Sequence, residues 1–177
     1  IGTVGLRHSY LKCTEYTKAG AAPLVVNFSE VDGQIGFITT LPDSLQAEKP
    51  LSIDLSARLD GAIPVGVKIA MDYDTERFNV TAHTEGTSNF SSLNETVLPA
   101  LGMRFKSGVL DGLRFKAAGN PSTIRGELTL RYHNLEVEIF KEHHKKKGAS
   151  WVANTLLKSS NPNRRGHTVV GTGDFTR

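Results

Sequence analysis

The side chains best placed to do chemistry lie in the run DYDTE, where Asp72, Asp74 and Glu76 fall at alternate positions. Carboxylate oxygens at that spacing suit a hard cation such as calcium. The glycine and the distal glutamate of a helix–loop–helix calcium motif are missing, and the run falls where a hairpin has to turn. It reads as a solvated turn. His143 and His144 are adjacent, so an extended chain points them opposite ways, and the lysines around them repel a cation. His8, His83, His133 and His167 are scattered, with no CxxC or HExxH partner. Ser29, Ser56 and Ser122 lack a GxSxG setting. Gly171 and Gly173 lack the other glycine and lysine positions of a phosphate loop. Four Asn-x-Ser/Thr triplets, at Asn27, Asn79, Asn89 and Asn94, matter only in a secreted eukaryotic chain. The single Cys13 can close no intrachain disulfide and reads as a half-buried strand residue. No catalytic constellation emerges, no cofactor or metal is implied, and the expectation is a non-enzymatic protein.

The elements that carry these residues follow from composition and period. The 177 residues are 38% hydrophobic and 22% charged, enough for one domain, 1–177, with a substantial core. No window reaches the roughly 18 apolar residues of a membrane-spanning helix. The chain opens at Ile1 without a leader pattern and is taken as a fragment of a larger protein. Charge is uneven: residues 1–140 hold 13 Lys/Arg against 16 Asp/Glu, a balance of −3, and residues 141–177 hold 8 against 2, a balance of +6. A basic tail could meet phosphate, but the body has no basic stripe interleaved with aromatics, so nucleic acid is not an expected partner.

In PLSIDLSARLDGAIPVGVKIAMDYD, Leu51, Ile53, Leu55, Ala57 and Leu59 share one face of an extended chain, and Ser52, Asp54, Ser56 and Arg58 share the other. After a turn at Asp60-Gly61 the apolar phase resumes with Ile63, Val65, Val67, Ile69, Met71 and Tyr73. Phe78, Val80 and Ala82 continue it. A first strand runs from Val4 to about Cys13 or Tyr16, and the segment 24–40 changes phase near Gly33, which predicts a bulge or tight turn. Ser92 and Glu95 form a capping-box pattern ahead of a short helix over 92–101, shortened or bent by Pro99. Met103 and Phe105 make a brief strand, Leu113, Phe115 and Ala117 another. A long strand carries Ile124, Gly126, Leu128, Leu130 and Tyr132, flips phase at His133-Asn134, and continues through Leu135, Val137 and Ile139. KEHHKKKG is a charged loop, ASWVANTLLKSS a second helix, and HTVVGTGDF a last strand. Eight or more strands with one or two short helices give a mainly β, chiefly antiparallel fold.

The segments LNETVLPALGMRFKSGVLDGLRFKAAGN and STIRGELTLRYHNLEVEIFK, then the charged loop, WVANTLLKSSNPN and the RRG turn, occur in an order that resembles the C-terminal part of AsmA-like proteins of the bacterial cell envelope, particularly those of Bacteroidetes type. The resemblance covers roughly residues 20–175 and is a pattern of strands and turns. It implies a periplasmic piece of a protein anchored in the inner membrane by a segment outside this chain, with a role in lipid transport between membranes or in outer-membrane assembly. Phospholipid acyl chains and envelope assembly proteins are the partners it implies.

One helix of about ten residues spans about 15 Å and shields two or three strands. The remaining apolar faces need another cover. The expected architecture is therefore a curved antiparallel sheet, either an open taco-like groove or a sandwich, with one or two short helices packed on it. In the groove, Leu51, Ile53, Leu55, Val65, Val67, Ile69, Met71, Phe78 and Val80 would form an apolar, lipid-facing lining. The alternative is a structural or protein-interaction module that assembles through its sheet edges. A hydrolase or carbohydrate-binding sandwich is less favoured, because one Trp and four Tyr, mostly in strand phase, leave few exposed aromatics.

Overall fold

The Asp60-Gly61 pair decides the first hairpin. Both residues take positive φ, 47° and 71°, and Ala62 N–H donates to the Leu59 carbonyl at 3.1 Å. Such a turn matches the right-handed twist of its flanking strands, so residues 51–59 and 63–71 pair from Leu51↔Met71 to Leu59↔Ile63 with no slip. The computed structural model describes residues 2–16, 22–40, 49–140, 160–162 and 170–176. In chain order the strands are β1 (Gly2–Glu15), β2 (Leu24–Ile38), β3 (Leu51–Leu59), β4 (Ile63–Met71), β5 (Phe78–Thr84), β6 (Ser88–Asn89), β7 (Met103–Gly119), β8 (Thr123–Ile139) and β9 (Val170–Thr176). A 3-10 turn at Phe90–Leu93 and helix α1 (Asn94–Leu101) lie between β6 and β7.

These strands form one curved, unclosed antiparallel sheet in the order β1-β2-β3-β4-β5-β7-β8-β9, with the short β6 pairing beside β7. The fold is mainly β, as the alternation predicts, and of the two expected architectures the open sheet is the one formed, not the sandwich. The predicted second helix, the charged loop, and His143, His144 and His167 lie outside the described residues.

Three local expectations are corrected. The segment 103–119 is one 17-residue strand, not two, because bulges absorb its phase change: its register with β8 shifts between Phe105 and Gly112, with Gly108 at φ 134°. The same bulges account for the predicted flip at His133-Asn134, where Asn134 sits at φ 53°. The capping box does not form. Ser92 Oγ donates back to the Asn89 carbonyl at 2.8 Å, since Ser92 falls inside the 3-10 turn rather than ahead of the helix. The N-cap of α1 is Leu93, without a side-chain cap, and the helix ends on Gly102 in the left-handed region. Cys13, expected to be half-buried, is exposed because β1 is an edge strand with little lying against it.

Helix α1 is tied to the sheet by polar contacts. Asn94 grips β7 twice: its Oδ1 accepts from Phe105 N–H at 2.8 Å and its Nδ2 donates to the Phe105 carbonyl at 3.0 Å. The buried Thr96 hydroxyl lies 2.5 Å from Asp60 Oδ2 and 3.0 Å from the Val25 carbonyl. With one proton to give, it donates to the charged, nearer oxygen. Asp60 Oδ1 accepts from Asn27 N–H at 3.2 Å, and Asn27 Oδ1 accepts from Tyr10 Oη at 2.6 Å. One chain of contacts thus joins the helix, the β3–β4 turn, β2 and β1.

The core collects beneath this helical insert. Ile63, Phe90, Phe105, Leu110, Leu130, Tyr132 and Leu135 are buried together, and Leu93 and Val97 of the insert pack on them. Phe90 meets Phe105 at 5.0 Å and stands edge-on to Tyr132 at 5.8 Å between ring centroids. Asn161 closes this end, exchanging backbone hydrogen bonds with Tyr132 and donating its amide to the Leu130 carbonyl at 2.5 Å.

Two outcomes follow. Thr96→Val keeps the shape but removes a hydrogen bond to a buried-side carboxylate, and urea denaturation should register a loss of about 1.5–3 kcal/mol. Burial pushes the Tyr132 phenol above its ordinary value of 10.0. A group whose pKa is raised by folding contributes stability below its unfolded pKa and loses it as pH rises through the folded one. Stability should therefore fall above about pH 10 more steeply in the native chain than in Tyr132→Phe. Equal slopes in alkaline denaturation series would contradict this.

Candidate functional site

Because every strand pair from β3 to β8 is antiparallel, residues of one face line up in rows that run across the sheet. One row is Ile35, Ile53, Ile69, Val80, Ala117, Gly126. The next reads Leu55, Val67, Ala82, Phe115, Leu128, and the one on the other side Leu51, Met71, Phe78, Gly119, Ile124. The register through these rows has no shift between β3 and β8; all the irregularities of β7 and β8 lie between Phe105 and Gly112, at the end that α1 covers.

The nine residues expected as an apolar lining all fall on this face, in register with one another. Leu51, Ile53, Leu55, Val67, Ile69, Met71, Phe78 and Val80 form its far half, away from the helix. Each is partly buried and none is buried outright. Val65 is different: it sits at the covered end and packs against the core cluster. The contrast with Ile63 at 1% and Phe105 at 3% exposure marks where the helical cover stops.

Ala82, Phe115, Leu128, Ile35 and Ile124 extend the same rows but were not expected in the lining. The signal was available in the alternation of 113–117 and 124–132. What sequence alone does not give is that β5 pairs with β7 across the inserted turn and helix, which sets those strands in register with 51–71. Toward β7 and β8 the rows shrink to Ala117, Gly119 and Gly126, and aromatic rings lean into the space. A Cβ on Gly119 would stand 2.8 Å from Phe78 Cζ, and one on Gly126 3.3 Å from Phe115 Cε2.

The helix also shows which way the sheet curves. It touches both β2 and β7, which in the sheet order are separated by β3, β4 and β5. Contact with both from the apolar side means that the sheet curls around that side at the covered end. No helix among the described residues is long and apolar enough to cross a membrane.

The polar residues singled out by type are not brought together. Asp72, Asp74 and Glu76 sit in the β4–β5 turn, where Asp74 Oδ1 accepts from Thr75 N–H at 2.8 Å and Asp72 N–H donates to the Arg77 carbonyl at 2.8 Å. Tyr73, placed by its alternation at the end of β4, lies in that turn instead and donates its hydroxyl to the Phe37 carbonyl at 2.6 Å. His133 pairs with Asp111 at 2.8 Å, His83 lies 3.7 Å from Glu85, and His8 lies 3.7 Å from Asp32. Among the described residues no three His, Cys, Asp or Glu side chains converge as metal ligands. Asn27 and Asn94 have their side-chain amides engaged in the contacts above.

Comparison of the chain with protein-family models, with curated proteins and with solved structures finds no match.

The two halves of the apolar face should respond differently to truncation. Phe105→Ala, under the helix, should cost about 3–5 kcal/mol. Ile69→Ala, part of whose surface already meets solvent, should cost about 1–2 kcal/mol, below the range for a closed core. Chemical denaturation of both variants checks the order; equal losses would mean that the far half is as well covered as the near one.

Proposed function

We propose that this chain is a non-enzymatic, lipid-handling segment of a bacterial envelope protein, in which the far half of the apolar face receives phospholipid acyl chains. The observation that carries the reading is the set of eight partly accessible apolar side chains in unbroken rows, beside a helical cover that, among the described residues, protects only the other end. Full burial of a Val, Leu, Ile, Phe or Met side chain is worth about 1.5–3 kcal/mol, so covering what remains accessible on eight neighbours is a substantial driving force for an apolar occupant.

Dimensions agree with this occupant. Five residues along a strand, as from Leu51 to Leu55, span about 13 Å, and the five strands from β3 to β8 span about 19 Å. One leaflet of a bilayer is about 15 Å of hydrocarbon, half of the roughly 30 Å core. The rows carry no polar side chain between Leu51 and Ile124, so recognition there would work through shape and desolvation. The resemblance to AsmA-like proteins supports the same reading and suggests a periplasmic setting, with the parent protein anchored in the inner membrane and engaged in lipid transport or outer-membrane biogenesis.

Assembly through sheet edges has weaker support. The β1 edge has three register irregularities against β2 and a positive φ at His8, and the β9 edge is only seven residues long. Kinked and short edges are the features that discourage strand addition.

The lipid reading is tested by expressing the chain in bacteria and recording native mass spectra, together with uptake of a fluorescent phospholipid. Bound phospholipid and saturable uptake are expected. Ile69→Asp or Ile53→Lys should reduce uptake at least about tenfold with strand content retained by circular dichroism, since a charge placed on the rows must be desolvated. Lys68→Gln, on the opposite face, should leave uptake unchanged. Absence of lipid in the spectra combined with no uptake would sink the proposal.

A further inference from the structure

The face opposite the apolar rows holds a second arrangement, independent of the lipid reading. On β7, Arg114 and Lys116 are two residues apart and so share the polar face. Arg114 stands opposite Thr129 of β8 and His83 of β5; Lys116 stands opposite Glu127 and Thr81; Arg131 stands opposite Gly112. A cleft of about 450 Å³ lies among them, lined on its polar side by Thr81, His83, Arg114, Lys116, Thr129 and Arg131. No carboxylate lines it.

Three other cations on the sheet are matched. Lys68 is bound to Asp54 at 2.5 Å, Arg58 to Glu30 at 2.9 Å, and Lys106 lies 3.6 Å from Glu136. Arg114, Lys116 and Arg131 have no such partner among the described residues. The carboxylates nearest in the sheet are turned elsewhere: Asp111 holds His133, Glu85 lies beside His83, and Glu127 lines the neighbouring cleft without reaching Lys116. Directly opposed and diagonal neighbours on a sheet face have Cβ atoms within about 8 Å, so Arg114 lies beside both Lys116 and Arg131, and Glu127, opposite Lys116, is the one carboxylate in direct register with the three.

One of the three also lies close against the strand. The Nε–Nη2 edge of the Arg131 guanidinium faces Gly112, where a Cβ would stand 3.1 Å from its Nη2, 3.5 Å from Nε and 3.8 Å from Cζ. A side chain at 112 would lift it.

We infer that this cleft is an oxyanion site for a phosphate or phosphate monoester, held by Arg114, Lys116 and Arg131 with the hydroxyls of Thr81 and Thr129 as further donors. Two guanidinium forks and one ammonium match the several acceptor oxygens of a phosphoryl group, and the charges that repel one another in the empty cleft are neutralised by it. The same chemistry is offered by a free phosphate compound or by the phosphate of a lipid headgroup. A lipid lying on the apolar rows cannot present its own headgroup here, because the sheet stands between the two faces.

The test is a titration of the isotope-labelled full chain with inorganic phosphate and with glycerol 3-phosphate at low ionic strength, read from the amide signals of Gly112, Lys116 and Thr129. Saturating shifts at millimolar concentration are expected, unaffected by chloride at matched ionic strength. Arg131→Gln or Arg114→Gln should weaken binding at least about tenfold. Arg131→Lys, which keeps charge but loses the fork, should fall between. Arg58→Gln, whose side chain is paired on the same face, should bind as the native chain does. A parallel arm uses phosphatidylglycerol vesicles: release of the protein by glycerol 3-phosphate assigns the anion to a headgroup, whereas shifts with the soluble anions and no vesicle binding assign it to a free phosphate compound. The inference is overturned if neither soluble anion moves these signals, if chloride competes equally, or if Arg58→Gln weakens binding as much as Arg131→Gln. Because all these side chains are exposed, circular dichroism should show every variant folded.

Discussion

The arrangement of this protein rests on one constraint: antiparallel register held without a slip through the strands that carry the apolar rows. A one-residue shift in any of β3, β4, β5, β7 or β8 would send that strand's Leu, Ile, Val and Phe side chains to the charged face and bring its Asp, Lys and Arg among the apolar ones. Nine consecutive pairs between β3 and β4 and seven between β4 and β5 show no such shift. The left-handed turn at Asp60-Gly61 starts the first of these runs, and the turn at 72–77 starts the second. Where the register does break, between Phe105 and Gly112, the bulges lie under the helical insert. Bulges add local bend and twist. The irregular end of the sheet is thus the end that curls and is covered, and among the described residues the regular end is the one left open.

The helical insert works as a wedge more than as a roof. Its eight residues reach only about 12 Å along the axis, which cannot screen a sheet of this width. Its effect comes from where it is fastened. Asn94 holds the start of β7 through two hydrogen bonds, and Thr96 reaches Asp60, whose carboxylate in turn holds Asn27 of β2. The insert therefore links strands that are not neighbours in the sheet. That linkage favours curvature toward the apolar side, while Phe90 fills the angle between Phe105 and Tyr132.

Much of this was readable from residue order. Alternation over 51–59 and 63–71 located two strands and the face they share, and Asp60-Gly61 located the turn, because period and turn chemistry are local properties. The phase changes near Gly33 and at His133-Asn134 marked bulges, since an extra residue in a strand has no other way to show itself in a pattern of two. Local reasoning failed where geometry is decided at a distance. The pattern at Ser92 and Glu95 looks like a helix cap, but the chain enters the insert through a 3-10 turn that places Ser92 within it. Residues 103–119 read as two strands because their bulges interrupt the period, and only the partner β8 shows that the ladder continues. Cys13 has the alternation of a half-buried strand residue, but its strand came to lie at the edge. Phe115 and Leu128 joined the apolar rows through the pairing of β5 with β7, which depends on how a 12-residue insert is accommodated.

The division between the two faces bears on what each could recognise. On the apolar side the central strands are paired with a neighbour along both edges, and the row side chains between Leu51 and Ile124 offer only hydrocarbon and aromatic surface. Such a surface distinguishes ligands by size and saturation, and has no means of reading a polar group. Any discrimination by charge has to come from the other side of the same strands, where Arg114, Lys116 and Arg131 stand unmatched beside cations that are paired. The sheet is one layer thick at these positions, so a substitution that shifts the register of β7 would disturb both surfaces together. A substitution that changes one side chain on β7 would disturb only the face it projects from. Coupling between the faces, if the molecule uses any, must therefore pass through strand position and not through side-chain contact.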